Sequence, residues 1–441
     1  MSVVEAPPSE SQAPERRPGR SFGSFLRDSE IDTRMVGMLV VLLVIWVGFH
    51  IISGGTFLTP RNLWNLSVQT SSIGIMATGM VLVIVSRNID LSVGSMVGVV
   101  GMVMALLQAE ILPDLGVGRG TWWMWIVVLA MGLILGGLIG AFQGVIVGYV
   151  GVPSFIVTLG GLLVWRGFAW LSASGRTIAP MDSTFQLLGG GSRGSLGETG
   201  SWVVGGIACL GIIAFLVMGR RRRQKFGFRL RPMWLDGALG VFGCVVVLAA
   251  VWVTNSYYVP ENLARAIAEE RGIPWPEGGL LIPLGIPYPV LILIGVTLVM
   301  AFVANRLRFG RYIFSIGGNP EAANLAGINT RRTIVKTFMV MGILAAISAA
   351  VSIARLNAGV SGLGTLNELY VIAAAVIGGT SLAGGVGTVT GAVLGALVMQ
   401  SLQSGMVLVG VDAPLQDVVV GIVLVTAVAI DTIYRRRSAR R

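Results

Sequence analysis

The sequence predicts an all-α polytopic membrane protein of about 12 transmembrane helices with an internal repeat. Three observations predict it. Of 441 residues, 54% are hydrophobic and only 12% charged, against about 25% charged in water-soluble domains. The apolar residues come in runs of about 20, the length an α-helix needs to cross a bilayer. One interrupted, Gly-rich apolar run occurs twice.

Residues 1–34 are rich in Pro, Ser, Glu and Arg. They lack the apolar core and small-residue cleavage site of a secretory signal. They read as a disordered cytoplasmic tail, with the first apolar run serving as the insertion signal. Apolar runs then fall near 35–52, 66–86, 91–111, 122–148, 153–173, 202–218, 235–254, 287–304, 333–354, 369–383, 388–409 and 415–433. The tenth is short and interrupted by glycine, which leaves two readings, crossing or re-entrant. Cys209 and Cys244 both lie inside apolar runs, so neither a disulfide framework nor a zinc site is expected.

An even number of spans puts both ends of the chain on one side, and charge decides which. With the N-terminus inside, 22 of the 32 Lys and Arg residues fall in cytoplasmic segments: the tail, loop 219–232, loop 305–332 and the basic tail 435–441. Six fall in external loops, the longest of which is 255–286. Positive loops stay in the cytoplasm, so the transmembrane domain is expected over 35–434 with both ends inside. The net charge of +11 is thereby accounted for without nucleic acid. The basic stretch 220–231 is read as a topology signal that can also touch anionic lipid.

The repeat sets "VIVSRNIDLSVGSMVG" (83–98) over "VIGGTSLAGGVGTVTG" (376–391). Without gaps, Val83, Ile84, Val93, Gly94 and Gly98 match Val376, Ile377, Val386, Gly387 and Gly391. In each copy an apolar run breaks and a Gly-rich helix begins. Interrupted segments in corresponding halves point to a translocation route, because broken backbone at membrane depth must be buried in protein or line a cavity. Two tight turns between packed helices are the plainer alternative. Glycines at every fourth position, 132 to 148 and again 387, 391 and 395, predict side-chain-free grooves that another backbone can approach.

A polar stretch, "GGNPEAANLAGINTRR" (317–332), separates two apolar runs on the cytoplasmic side. Asn319 is a good N-cap, Pro320 suits the first helical position, Glu321 suits the positive end of the helix dipole, and Gly327 can end the helix left-handed. A helix this short does not persist alone in water, so it must dock against something. Its spacing, Glu-Ala-Ala, three residues, then Gly, resembles the cytoplasmic loop of ABC importer permeases that forms the coupling helix.

"GMVLVIVSRNIDLSVGSMVG", "VPSFIVTLGGLLVWRG", "GRYIFSIGGNPEAANLAGIN" and "VIGGTSLAGGVGTVTGAVLGALV" resemble signature stretches of the ribose/xylose branch of sugar ABC permeases. The likeness covers roughly residues 35–435. The extra pair of spans around the basic loop is most like the D-xylose permease subfamily. The resemblance implies one half of a homodimeric pore in the bacterial plasma membrane. Its partners would be a cytoplasmic ABC ATPase, which uses the ATP, and an extracytoplasmic sugar-binding protein, free or lipid-tethered. It also implies that Asn319, Glu321, Ala322, Ala323 and Gly327 couple ATP hydrolysis to transport. Xylose is the implied sugar; ribose, arabinose and galactose stay open. One departure is notable: the family has small or acidic residues before "IDLSVGS", and here Arg87 and Asn88 stand there. Arg87 either snorkels at the cytoplasmic end or reaches the pathway.

The chain lacks the parts for other classes. A P-loop ends in Gly-Lys-Ser/Thr, whereas Lys225 and Lys336 follow Gln and Val. "GGGSRG" (189–194) fits G-x-G-x-x-G but lies in an external loop with no strand before it. With His50 the only histidine, neither a histidine metal site nor a Ser/His/Asp triad has its parts, so no enzyme activity, cofactor or metal is expected. An ion-coupled secondary transporter remains as the alternative class, with Asp90 its main intramembrane carboxylate.

For the translocation pathway the candidates are Gln69, Asp90, Ser92, Ser95, Arg166 and Asn357. Sugars are neutral polyols, so the route needs hydrogen-bonding groups and weak contacts more than charge. Asp90 can instead cap the helix that restarts after the break, and Arg166, about 20 Å along its span by helix rise, can instead form a structural ion pair or snorkel.

Overall fold

A computed structural model describes residues 33–439 except 229, 231, 271, 273, 277 and 278. The expected N-terminal tail apart from its last two residues, the loop cations Arg229, Arg231 and Arg271, and the last two residues of the basic tail lie outside the described residues.

Among the described residues every regular element is a helix. In order the helices are α1 (Thr33–Ile52), α2 (Pro60–Val85), α3 (Val93–Asp114), α4 (Met124–Val150), α5 (Ser154–Ser172), α6 (Gly197–Lys225), α7 (Met233–Asn255), α8 (Glu261–Glu270), α9 (Tyr288–Arg306), α10 (Arg308–Gly318), α11 (Pro320–Leu325), α12 (Thr330–Leu356), α13 (Asn367–Ile377), α14 (Val389–Leu408) and α15 (Ala413–Ala439). Among the described residues ten helices are long and apolar enough to cross a membrane, while α13 and the apolar part of α15 are shorter. The protein is therefore an all-α, multi-pass membrane protein. Ten of the twelve expected runs are met by such helices. The tenth run differs: α13 stops at Ile377, and the chain from Gly378 to Thr388 is not helical. Glycines at 378, 379, 384 and 385 fill the break: Gly379, Gly384 and Gly385 take positive φ, and Gly378 has no room for a Cβ. The last helix runs on through the expected basic tail to Ala439.

The core is built from α2, α3, α12, α13 and α14. Helix α2 carries many polar residues yet is largely buried. Its hydroxyls bond back to their own helix: Thr70 to the Leu66 carbonyl (2.7 Å), Ser71 to Ser67 (2.8 Å) and Thr78 to Ile75 (2.7 Å). Self-satisfied hydroxyls can be buried without an orphaned donor. Ser72 bonds across to Ser348 (2.7 Å) and Ser352 (2.9 Å) and so fastens α2 to α12.

The most extensive helix contact joins α4 to α12, and the glycine ladder causes it. A Cβ on Gly136 would clash with the Gly342 carbonyl, on Gly140 with the Phe338 carbonyl, and on Gly144 would come within 2.7 Å of the Val335 Cα. Backbone meets backbone over about three turns, from Gly136 to Gly148, as the spacing predicts; Gly132 instead lies against the Met104 side chain. The second ladder works alike: Gly391 and Gly395 of α14 lie against the carbonyls of Gly378, just past α13, and of Ala374 within it.

Helices α6 and α7 stand apart as an antiparallel pair. Cys209 and Cys244 are free thiols that face each other across it, each Sγ within 4.0 Å of the other's carbonyl oxygen. An Arg220–Asp236 ion pair of 2.7 Å closes one end. At the other end the loop 255–286, which holds α8, packs on the start of α2. Trp64 Nε1 donates to the Gly285 carbonyl (2.9 Å).

Candidate functional site

Two non-helical segments enter the bundle from opposite ends. The first, residues 86–92, follows α2. It does not simply turn: Ser154 Oγ accepts from the Ile89 amide (3.2 Å), and Thr158 Oγ1 donates to the Ile89 carbonyl (3.2 Å). Gly161 then lies against Ser92, and Gly98 against Arg166. By helix rise along α5, Ser92 sits about 10 Å and Gly98 about 18 Å inside the bundle. Helix α3 thus starts well within the bundle rather than at its end.

The second segment, residues 357–366, follows α12. It runs antiparallel to α3, with Gly359 against Ala105, the Leu363 carbonyl against Gly98 and Gly364 against the Gly94 carbonyl. Sequence reading leaves this stretch between two spans and nominates only Asn357 in it for the pathway; the structure places it along some 16 Å of α3. The glycines on α3 leave space for it. Both its ends are left-handed at non-glycine residues, Asn357 (φ 53°) and Leu366 (φ 64°). That conformation costs roughly 1–2 kcal/mol per residue, and strain of this kind gathers at functional sites.

The two segments meet at Asp90, Gly94, Gly364 and Glu368. Asp90 is fully buried; its Oδ1 accepts from the Ser92 amide (2.8 Å) and from Ser92 Oγ (2.6 Å). Ser92 Oγ in turn accepts from Gln143 Nε2 of α4 (2.9 Å), and Ser95 Oγ donates to the Ser92 carbonyl (2.8 Å). Arg166 Nη1 donates to the Ser361 (3.2 Å) and Leu363 (3.0 Å) carbonyls and interacts electrostatically with Glu368. Asp90 Oδ2 and Glu368 Oε2 are buried with no hydrogen-bond partner. Asp90, Ser92 and Ser95 therefore hold the restart of α3 in shape, and Arg166 holds the entering segment down. Asn357 caps α12 and accepts from the Met181 amide (2.9 Å).

Beside this junction lies a cavity of about 190 Å³ between α2, α12, α13 and α14. Gln69, Ser72, Ser352, Asn367, Gln400 and Gln403 supply its polar lining, and Arg355 is its one charged lining residue. Gln400 Oε1 is buried and unpartnered. Of the six pathway candidates only Gln69 lines this cavity. Leu363 and Gly364 connect it to the entering segment that Arg166 holds. Sequence reading misses Gln400 and Gln403, although two amides at i and i+3 in an apolar span are a signal that polar groups face inward.

At one end of the bundle the two sequence repeats touch. The Gly385 amide donates to the Val85 carbonyl (2.9 Å), which joins break 378–388 to break 86–92. The end of α10 sits on this join, Gly317 and Gly318 lying against Val85 and Gly385, and α11 follows directly. Asn319 caps α11 as expected, its Oδ1 accepting from the Glu321 (3.1 Å) and Ala322 (3.0 Å) amides. Gly327 takes φ 80°. Ala323 is buried, whereas Leu325 is 90% exposed. Arg87 does not line the cavity. Its guanidinium donates to the Gly317 (2.7 Å) and Gly318 (2.8 Å) carbonyls at the end of α10. Among the described residues no group of three or more His, Cys, Asp or Glu could hold a metal ion.

Residues 62–428 match the family model described as "Branched-chain amino acid transport system / permease component". The chain is 36% identical over 416 residues to the xylose transport system permease protein XylH of Escherichia coli strain K12, covering 94% of this chain and 96% of that one. It is 36% identical to XylH of Haemophilus influenzae, covering 92% and 98%, and 30% identical to the ribose import permease protein RbsC of Escherichia coli strain K12, covering 89% and 92%. No solved structure matches. The chain belongs to this permease family and is a membrane-spanning transport subunit rather than an enzyme.

Proposed function

From membership of this family, we propose that the chain is the permease of an ATP-driven importer of a small neutral sugar, D-xylose first. The observation that carries the sugar is the cavity. Three glutamines, an asparagine and two serines offer both donors and acceptors to one cavity, which suits a polyol. The family description names amino acids, but a buried ammonium group is costly without a compensating charge, and the one charged residue in this lining is the cation Arg355.

In this reading the sugar enters from an extracytoplasmic binding protein. Both ends of the chain are cytoplasmic, with twelve crossings in a bacterial plasma membrane, and two copies form the pore. A separate ATPase docks on α11. The exposed Leu325 beside a capped, rigid turn supports that docking role for Asn319, Glu321, Ala322, Ala323 and Gly327. The test is uptake of labelled D-xylose at micromolar concentration by cells with and without the gene, with unlabelled ribose, arabinose, galactose and xylose as competitors. Gene-dependent uptake blocked by xylose alone supports the reading. Uptake unaffected by gene loss removes xylose, and block by ribose reassigns the sugar.

A further inference from the structure

We infer that Arg87 is the positioning residue that ties the α10–α11 junction to both interrupted segments, so that movement of α11 reaches the cavity through one guanidinium. The inference rests on the docking role proposed for α11.

The last four carbonyls of a helix have no partner within it. Gly317 and Gly318 provide two of those at the end of α10, one residue before the cap of α11. Arg87 Nε and Nη2 satisfy one each. The planar guanidinium holds its donors in a fixed fork that suits two successive carbonyls, whereas an ammonium on a flexible stem is less preorganised for them, and a cation at a helix C-terminus is favoured by the dipole.

The backbone of Arg87 argues the same way. Its φ is 63°, a conformation in which Gly or Asn would sit with less strain. The requirement at this position is therefore for the side chain. That side chain, although solvent-exposed, is also contacted at its base from the second interruption: a Cβ on Gly384 would clash with Arg87 Cγ. A Cβ on Gly317 would clash with the Val85 carbonyl and the Gly385 amide. The end of α2, the end of α10 and the 378–388 segment thus meet in one atomic layer, with no slack between them.

From Arg87 the chain is held at every step towards the cavity. Ile89 is clamped by Ser154 and Thr158, and Asp90 locks Ser92. Helix α3 then presents Gly94 and Gly98 to the 357–366 segment, which lines the cavity through Leu363 and Gly364. A shift of α10 relative to α2 must either break the two Arg87 bonds or move the start of α3.

The test reads coupling without relying on the identity of the sugar. The full permease, assembled with its ATPase in lipid nanodiscs, would carry Gln69→Cys as a reporter, with Cys209 and Cys244 changed to Ser. The rate of labelling by a membrane-impermeant maleimide is measured without nucleotide and after trapping with ATP and vanadate. In this parent, trapping should change the rate at least fivefold. With Arg87→Gly or Arg87→Asn, both tolerant of positive φ, the change should fall below twofold while ATP is still hydrolysed; Arg87→Lys should be intermediate. A full nucleotide response in Arg87→Gly overturns the inference. Failure of both variants to assemble with the ATPase also overturns it, since Arg87 would then serve folding. Absence of a response in the parent overturns the docking and pathway reading itself, and the inference with it.

Discussion

Helices α2 and α6 are both long apolar spans, yet they occupy opposite environments. The most apolar window of α2 is 89% buried, that of α6 only 6%. The buried helix is the more polar of the two: it holds Gln69, Thr70, Ser71, Ser72 and Thr78, whereas the middle of α6 is almost wholly Ile, Leu, Val, Phe and Gly. In water the order would be reversed. In a bilayer, lipid tails already satisfy large apolar side chains, so helices associate through small residues, close backbones and hydrogen bonds. The core of this protein is accordingly its Gly- and Ser-rich part.

The sharpest way to break that contrast is to place the same substitution in both regions. Gly140→Leu on α4 would drive a side chain into the Phe338 backbone, whereas Gly211 on α6 has nothing within 4 Å. Gly140→Leu should abolish the monodisperse protein peak in detergent gel filtration, and Gly211→Leu should leave it unchanged. Equal behaviour of the two would refute the glycine seam as the basis of assembly.

The next effect tests function rather than folding. Gly327, at φ 80°, ends α11, and proline is confined to a φ near −65°. Gly327→Pro should leave membrane insertion intact and reduce uptake about tenfold or more while ATP hydrolysis continues; normal uptake would remove α11 from the coupling route. Smaller still, Gln400→Leu removes an unpartnered acceptor from the cavity lining. One hydrogen bond of about 1 kcal/mol corresponds to roughly a fivefold rise in the KM for uptake, measured against unchanged expression. The smallest effect belongs to the α6–α7 pair. Arg220→Gln breaks an ion pair whose side chains are 29% and 20% exposed, and such pairs contribute about 0–1 kcal/mol. Its thermal unfolding should move by no more than a few degrees; a collapse would show that the pair is part of the core.

The same contrast explains what the sequence discloses. Ten spans are legible because lipid-facing helices are continuous apolar runs. The glycine ladders are legible because a fourfold spacing lies on one helix face. The cap of α11 is read correctly to the residue, from Asn319 to Gly327. Less visible is anything that depends on the chain turning back. Glu368 reads as a residue at a span end, yet it is 94% buried beside Gly94, with 6% of its surface accessible, because residues 357–366 run inward before α13 begins. No property of "NAGVSGLGTL" distinguishes an inward path from a surface loop. Helices α8 and α10 escape notice for another reason: they are polar on one face, and short amphipathic helices lack the long apolar run that marks a span.

The shortness of α13 carries a consequence for energetics. Eleven residues give about 16 Å of helix, roughly half of a hydrocarbon layer of about 30 Å. The remainder of that depth is occupied by peptide groups of 357–366 and 378–388. Along the proposed pathway a solute beside α13 therefore faces a dehydration barrier only about half the width of the bilayer, bounded on both sides by peptide dipoles that the packing holds in place. The insulating layer is thinned locally by the protein itself.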